Sequence, residues 1–264
     1  MPEGHFLHRL ARDQQELVGT ELRASSPQGR FADGAAALDR HAPTSIEAYG
    51  KHLRHRHDTG LGLHVHLGMH GKWLRLADVP PRPQVRLRLA TPDVAWDLIA
   101  RSSCDLLDDD GWEALTARLG PDPLRRDADR ERAYEALRCY AGTIGAAVLD
   151  QSVFAGIGNV LRAEGLFLAG IHPGVPASSL DRPAFDHLWD VMAALMRRAV
   201  DEGHIISVPL PVDRRATVAE PDGRMVYKQG TCRRCGRPVD VFPLGGRTAY
   251  ACDTCQPVSR PLPR

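Results

Sequence analysis

Nowhere in its 264 residues does this chain sustain the roughly 18 consecutive apolar residues of a membrane-spanning helix, and its first residues lack the charged and apolar regions of a secretory leader. A bilayer span and an export signal are therefore not expected, and the cytosol is the expected compartment. Excess charge is missing as well. Thirty-four Lys and Arg stand against 33 Asp and Glu, a formal net charge of +1. A net charge so small excludes a uniformly basic surface, but binding to an anionic polymer depends on where charge sits, not on its sum. Lysine is scarce: Lys51, Lys72 and Lys228 are the whole complement. Internal repeats and low-complexity tracts are absent.

What is present is unevenly placed. From Arg224 to Arg264 eight Lys and Arg face only Asp240 and Asp253, whereas Asp97 to Glu135 holds eleven acids against six bases. The C-terminal end is thus the electrostatic candidate for phosphate contact. From Glu21 to about Leu107, short apolar or alternating stretches such as LGLHVHLGMHGKWLRL, QVRLRLATP and VAWDLIA predict antiparallel strands in a sandwich or barrel. Ahead of them, Phe6, Leu7, Leu10, Leu17 and Val18 predict a helix directly after MPEG. The acidic segment Asp105 to Gly111 and the segment Gly120 to Arg130 read as a boundary and linker. Beyond them, apolar residues at three and four spacing predict a helical domain, in which Asp181 caps a helix with Pro183 in its first turn. Ser207 to Gly223, rich in Pro and charge, predicts a loop. The expected division is a sandwich domain over 1–115, a linker over 116–130, a helical domain over 131–223 and a C-terminal hairpin and tail over 224–264.

Two local motifs carry chemistry. TCRRCGRPVDVFPLGGRTAYACDTC places Cys232 and Cys235 in one C-x-x-C pair, then a hairpin-like insert with a Gly-Gly turn, then Cys252 and Cys255 in a second pair. Four thiolates so spaced suit one tetrahedral, structural zinc, whose closed shell leaves no open catalytic position; a disulfide or redox pair is the alternative. Cys104 and Cys139 read as core thiols. At the other end, removal of Met1 ahead of Pro2 exposes a secondary amine with a pKa near the roughly 7.7 to 8 of an α-amino group. Such an amine attacks a sugar C1′ to give an iminium ion, which promotes elimination of the attached phosphates. Glu3 follows at once as a proton carrier.

MPEGH, GKHL at Gly50 to Leu53, HLGMHGKW at His66 to Trp73, LDQSVFAGIGNVLRAEGL at Leu149 to Leu166 and the cysteine hairpin resemble, in order and in spacing, the formamidopyrimidine-DNA glycosylase and endonuclease VIII family. The likeness spans nearly the whole chain. It implies an α+β multidomain fold: an N-terminal helix with a β-sandwich, a helix–two-turn–helix domain and a β-hairpin zinc finger, gripping damaged double-stranded DNA as a monomer in the bacterial cytosol. By the same resemblance Pro2 is the Schiff-base nucleophile, Glu3 the acid/base and Lys51, in a Gly-Lys pair read as the start of a strand, a phosphate contact near the scissile sugar. Asn159 and Arg247 bind phosphate, His66 contacts phosphate, Met69 is the wedge that fills the space of the extruded base, and His70 helps fill it.

There are departures from the pattern. His5 and Phe6 stand where the family often has proline and glutamate, and Gly68 offers no side chain to the wedge turn. The Asp-Pro-Arg-Arg-Phe-Gly wedge loop of the guanine-oxidation branch is missing, DLIARSSCDLLD standing in its place, as is that branch's Gly- and Thr-rich lesion-capping segment. Excision of oxidised pyrimidines, followed by β,δ-elimination, is therefore expected over 8-oxoguanine. Two other readings are open at this stage: a DNA-binding protein that has kept the scaffold and lost catalysis, and a metal site in the histidine-rich half, where His64 and His66 would share one strand face.

Overall fold

The computed structural model describes residues 2–77, 79–99 and 103–258. The chain forms two compact units, Met1–Arg118 and Leu119–Arg264.

The first unit begins with helix α1 (Gly4–Asp13), which buries Leu7, Leu10 and Ala11, the i, i+3, i+4 stripe of an amphipathic helix. A 3₁₀ turn at Gln14–Leu17 ends it sooner than the periodicity predicts. Strand β1 (Arg23–Ser25) and helix α2 (Ala32–Leu38) lead into β2 (Pro43–Tyr49), β3 (His52–His57), β4 (Gly62–His66), β5 (Lys72–Leu76), β6 (Leu87–Ala90), β7 (Ala95–Ile99) and β8 (Cys104–Leu107). They make two antiparallel sheets, ordered β1-β6-β7-β5 and β2-β3-β4-β8. Leu53, Leu63 and Val65 from one sheet share a single core with Leu87, Leu89, Trp96 and Leu98 from the other, and α1 closes it with Leu7 and Leu10. Each such buried side chain contributes about 1.5–3 kcal/mol. The sandwich expectation is met.

Register on the first sheet is fixed by a buried ion pair: Arg88 and Asp97 face each other across β6 and β7 and join through two hydrogen bonds of 2.7 and 2.9 Å. The acidic segment from Asp105 to Gly111 is not a linker. Its first half lies in strand β8, and its second half starts helix α3 (Asp109–Ala117). The acids are spent on the helix start: Asp108 caps it by accepting from Gly111 N at 2.8 Å, and Asp109 binds both Arg54 and Arg56 of β3, where carboxylates also suit the positive helix end.

In the second unit, Gly120 and Pro121 pack on the turn at 151–155 through the Gly120 N to Gln151 O and Ala155 N to Pro121 O bonds. Helices α4 (Arg130–Arg138), α5 (Ile144–Ala147), α6 (Asn159–Ala169) and α7 (Arg182–Glu202) follow. Asp181 caps α7 as expected, accepting from Ala184 N at 3.0 Å. Helix α6 is buried almost all round. Phe154, Phe185, Leu188, Trp189 and Met192 form the core of these helices. After a short helix α8 (Val212–Arg215), strands β9 (Asp240–Leu244) and β10 (Arg247–Ala251) pair as a hairpin. Cys104 is buried, but Cys139, at the end of α4, is exposed and is no core thiol.

Candidate active site and nucleic-acid interface

Pro2 is half-buried and leads directly into α1. Glu3, the N-cap residue of that helix, is wholly buried. Because α1 packs on β2 and β3, its start is anchored to the sandwich and cannot fray as a free terminus would. Met1 lies outside the described residues. Tyr49 pairs with His52, so Gly50 and Lys51 form the two-residue turn of the β2–β3 hairpin, with positive φ at Gly50. Lys51 therefore sits on the hairpin tip, one residue before the strand it was expected to begin.

The face of β3 and β4 turned away from the core carries His52, His64 and His66. His52 stacks on His64 with ring centroids 5.2 Å apart and lies 5.0 Å from His66. Burial above all, together with the repulsion that His64, His66 and Lys51 would exert on a second positive charge, lowers His52 to about 3; burial lowers His64 and His66 as well. The rings are thus neutral at physiological pH. The histidine metal site is not formed: among the described residues the four-cysteine group is the one cluster of metal-ligating side chains.

Between β4 and β5 the chain passes from one sheet to the other through the turn at 67–71, which carries Met69 and His70. Met69 is 60% exposed, an unusual setting for a large apolar side chain, and His70 is exposed beside it. The turn is tightly closed. Gly71 N donates to Leu67 O at 2.9 Å, and a Cβ on residue 71 would stand 2.4 Å from that oxygen. Gly68 N donates to His66 Nδ1 at 3.2 Å, tying the turn to the strand before it.

Asn159 opens α6, and its Nδ2 donates to Thr248 O at 3.0 Å. Its Oδ1 is buried without a hydrogen-bond partner, an arrangement seldom left unpaired in a folded protein. Three residues on, Arg162 is buried and donates to Thr248 O at 2.8 Å, Leu244 O at 3.0 Å and Gly145 O at 3.3 Å. Glu164, also buried, accepts from the backbone N–H groups of Met225, Val226 and Tyr227. Helix α6 thereby holds both the hairpin and the segment leading into it. The motif reading missed these two residues, although a charge inside so apolar a helix needs a partner. Arg247 begins β10 just after the Gly245-Gly246 turn, where both residues have positive φ as a two-residue hairpin favours, and it is exposed. Asn159 and Arg247 are thus brought together on one assembly.

The cysteines converge. Cys232 and Cys255 Sγ lie 3.9 Å apart, Cys235 and Cys252 3.5 Å apart, and all four sulfurs fall within 4.8 Å of one another. All four cysteines are free thiols in this structure, and both of these pair separations are well beyond the roughly 2.05 Å of a disulfide. A tetrahedral ion with bonds of about 2.3 Å places its sulfurs about 3.8 Å apart, so the donor set fits a metal ion. The Arg237 backbone N–H lowers Cys235 to about 7, whereas burial and the neighbouring sulfurs push Cys255 up to about 12. All four can be thiolates together only with a cation among them to offset their repulsion.

Residues 1–98 match the formamidopyrimidine-DNA glycosylase N-terminal domain and residues 119–209 its H2TH domain. The chain is 40% identical to endonuclease 8 1 of Mycobacterium tuberculosis over 97% of its own length and 100% of the relative's. It is 33% identical to probable endonuclease 8 2 of Streptomyces coelicolor (100% and 96% covered) and 30% identical to the formamidopyrimidine-DNA glycosylase of Thermomicrobium roseum (92% of each). The fold is similar to a Lactococcus lactis FPG variant in complex with Fapy-dG containing DNA, with a TM-score of 0.79, 25% identity and coverage of 97% and 100%. The chain belongs to the formamidopyrimidine-DNA glycosylase/endonuclease 8 family, and with it to the DNA glycosylase/AP lyases of DNA repair. The reading of a scaffold without catalysis yields to that membership.

Proposed function

We propose that this enzyme removes oxidised or ring-saturated pyrimidines from double-stranded DNA and cuts the strand through an iminium ion formed by Pro2. The supporting observation is the burial of Glu3 beside Pro2 on an anchored helix start, since a carboxyl group shielded from water next to an amine is suited to proton transfer. Once Met1 is removed, the amine bonds to C1′ as the bond to the base breaks and the base leaves with a proton; the amine then loses its own proton and the C1′–O4′ bond opens, O4′ taking up a proton, to give the iminium ion. Loss of a proton from C2′ expels the 3′ phosphate, a second elimination expels the 5′ phosphate, and water releases the sugar fragment and restores Pro2. Glu3 carries protons in these steps. Lys51, His66, Asn159 and Arg247 hold phosphates, Met69 enters the space of the extruded base and His70 supports it. The four cysteines hold one structural Zn²⁺, which fixes the hairpin and takes no part in bond-breaking.

The pyrimidine preference draws on the endonuclease 8 relatives and on the short connection between β7 and β8, which runs from Ile99 to Cys104 and leaves no room for an extended wedge loop. Ala100 to Ser102 within it lie outside the described residues. By the family resemblance the enzyme acts as a monomer in the cytoplasm; no helix among the described residues is long and apolar enough to cross a membrane. Borohydride trapping on an abasic-site oligonucleotide tests the chemistry: a covalent adduct is expected with Pro2 at the terminus and none with Met1 retained. Undiminished trapping by the Met1-retaining form would overturn the assignment of Pro2. Single-turnover rates on thymine glycol, dihydrouracil and 8-oxoguanine in one duplex context test the substrate; fastest excision of 8-oxoguanine overturns the preference and leaves the nucleophile untouched.

A further inference from the structure

His52 has no part in the reading above, yet it lies between two segments that do. It follows Lys51 at the tip of the β2–β3 hairpin and pairs directly across the sheet with His66, the residue whose Nδ1 holds Gly68 of the Met69 turn. Its own Nδ1 lies 2.9 Å from His64 Nε2, and His64 Nδ1 is turned towards Asp105, 3.8 Å away on β8. Trp112 of α3 lies against His64 at 6.2 Å between ring centroids.

The proton positions follow from these contacts. His66 Nδ1 accepts from a backbone N–H, so in the neutral ring the proton is on Nε2. Of His52 Nδ1 and His64 Nε2, 2.9 Å apart, one carries the proton and the other accepts it; the Asp105 carboxylate, 3.8 Å from His64 Nδ1, favours a proton on that nitrogen and hence His52 Nδ1–H as the donor. Each ring has a defined tautomer, as imidazoles fixed by a neighbour do, and the stack joins β8, β4 and the Lys51 tip into one unit. A hairpin tip bearing a long, flexible lysine is otherwise among the more mobile parts of a sheet.

We propose that His52 is a positioning residue: through its bond to His64 and its packing on His66 it holds the Lys51 tip and the Met69 turn in a fixed relation, so that phosphate contact and wedge insertion occur in one geometry. This rests on the reading of Lys51 as a contact near the scissile sugar, and the test separates the two. Misplacement of a reacting group by about 1 Å can cost a hundredfold in rate; loss of one of two restraints on the tip is expected to cost about tenfold.

The experiment is a double-mutant cycle read by single-turnover strand cleavage at an abasic site under saturating enzyme. His52→Phe keeps the ring and removes the donor; His52→Asn keeps a donor near the Nδ1 position and removes the ring. About tenfold slowing is expected in His52→Phe, at least half of it on a logarithmic scale restored in His52→Asn. In a Lys51→Ala background, His52→Phe should add nothing, because a residue that acts through Lys51 has no further effect once Lys51 is gone. A His52→Phe enzyme as fast as wild type, or one slowed equally with and without Lys51, overturns the proposal and leaves the Lys51 reading standing if Lys51→Ala is itself slow. Wild-type speed in Lys51→Ala overturns the Lys51 reading and the proposal with it. Thermal unfolding of each protein separates a damaged sheet from a misplaced tip.

Discussion

Replacing Arg162 by methionine should release the cysteine hairpin from α6 without emptying its metal site. Arg162 donates to two hairpin carbonyls, those of Leu244 and Thr248, and to Gly145. Hydrogen bonds to a charged group contribute about 1.5–3 kcal/mol each, so the two hairpin bonds amount to about 3–6 kcal/mol gross. Burying a guanidinium costs several kcal/mol in return, and Asn159 still donates to Thr248 in the variant. A net loss of about 3 kcal/mol in docking is the resulting expectation, a shift of roughly a hundredfold towards the undocked hairpin. Methionine preserves most of the volume, so cavity formation adds little. Hydrogen exchange across 240–251 should speed up by up to that factor, zinc content should stay at one ion per chain, and affinity for an abasic duplex at moderate salt should fall because Arg247 loses its fixed place. Unchanged exchange in the hairpin together with unchanged DNA affinity would refute the reasoning.

Loss of zinc is expected from Cys232→Ser or Cys255→Ser and not from Arg247→Ala, although all three should bind DNA more weakly; metal analysis alongside a salt titration decides, and an unaltered salt dependence in Arg247→Ala counts against a phosphate contact. Asp97→Ala leaves the buried Arg88 guanidinium without its carboxylate and should destabilise the first unit by about 3–5 kcal/mol, read by urea unfolding; a loss below about 1 kcal/mol would mean that water reaches the arginine. His52 and His55 are each lowered to about 3 from an ordinary 6.5, His52 facing His64, His66, Lys51 and Arg118 and His55 facing His57. Because the folded state resists their protonation, stability is full above pH 6.5 and falls as pH drops towards 3, by about 1.4 kcal/mol per pH unit for each ring. His55→Leu should therefore show a smaller loss between pH 7 and 5 than wild type, and equal losses would show that the folded state protonates His55 as readily as the unfolded chain does. Met69→Ala should slow release of a damaged base more than cleavage at a ready-made abasic site, where no base remains to be extruded; equal slowing would remove the wedge role.

The sandwich was legible because alternation in LGLHVHLGM and QVRLRLATP reports a half-buried strand directly, and the cysteine cluster because its spacing is set by the metal's geometry rather than by the rest of the fold. Asp108 and Asp109 were misread for a physical reason. A run of acids resembles a solvated connection until its partners are known, and those of Asp109, Arg54 and Arg56, stand more than fifty residues earlier, while Asp108 is spent on the helix start itself. Lys51 was placed one residue off because a two-residue turn and a strand start differ only in backbone angle. Arg162 and Glu164 lie inside a quoted motif, but what they hold comes from 145, 207, 225–227, 244 and 248, contacts that only folding brings to them. His52 stayed hidden because its partners are imidazoles on the next strand, and a histidine's role depends on which nitrogen faces what.

The closure of the turn at 67–71 limits how far the protein can probe. Residue 71 tolerates no Cβ without striking the carbonyl of Leu67, and Gly68 is tethered to the strand before it, so the backbone at the tip has no slack to extend or recoil. In the wedge role proposed for Met69, depth of penetration would then be set by the length of that one unbranched side chain, as the reach of a probe is set when its handle is clamped. Such a device compares one fixed length with whatever stands opposite it: a well-stacked pair resists, and a site that yields within that reach is accepted.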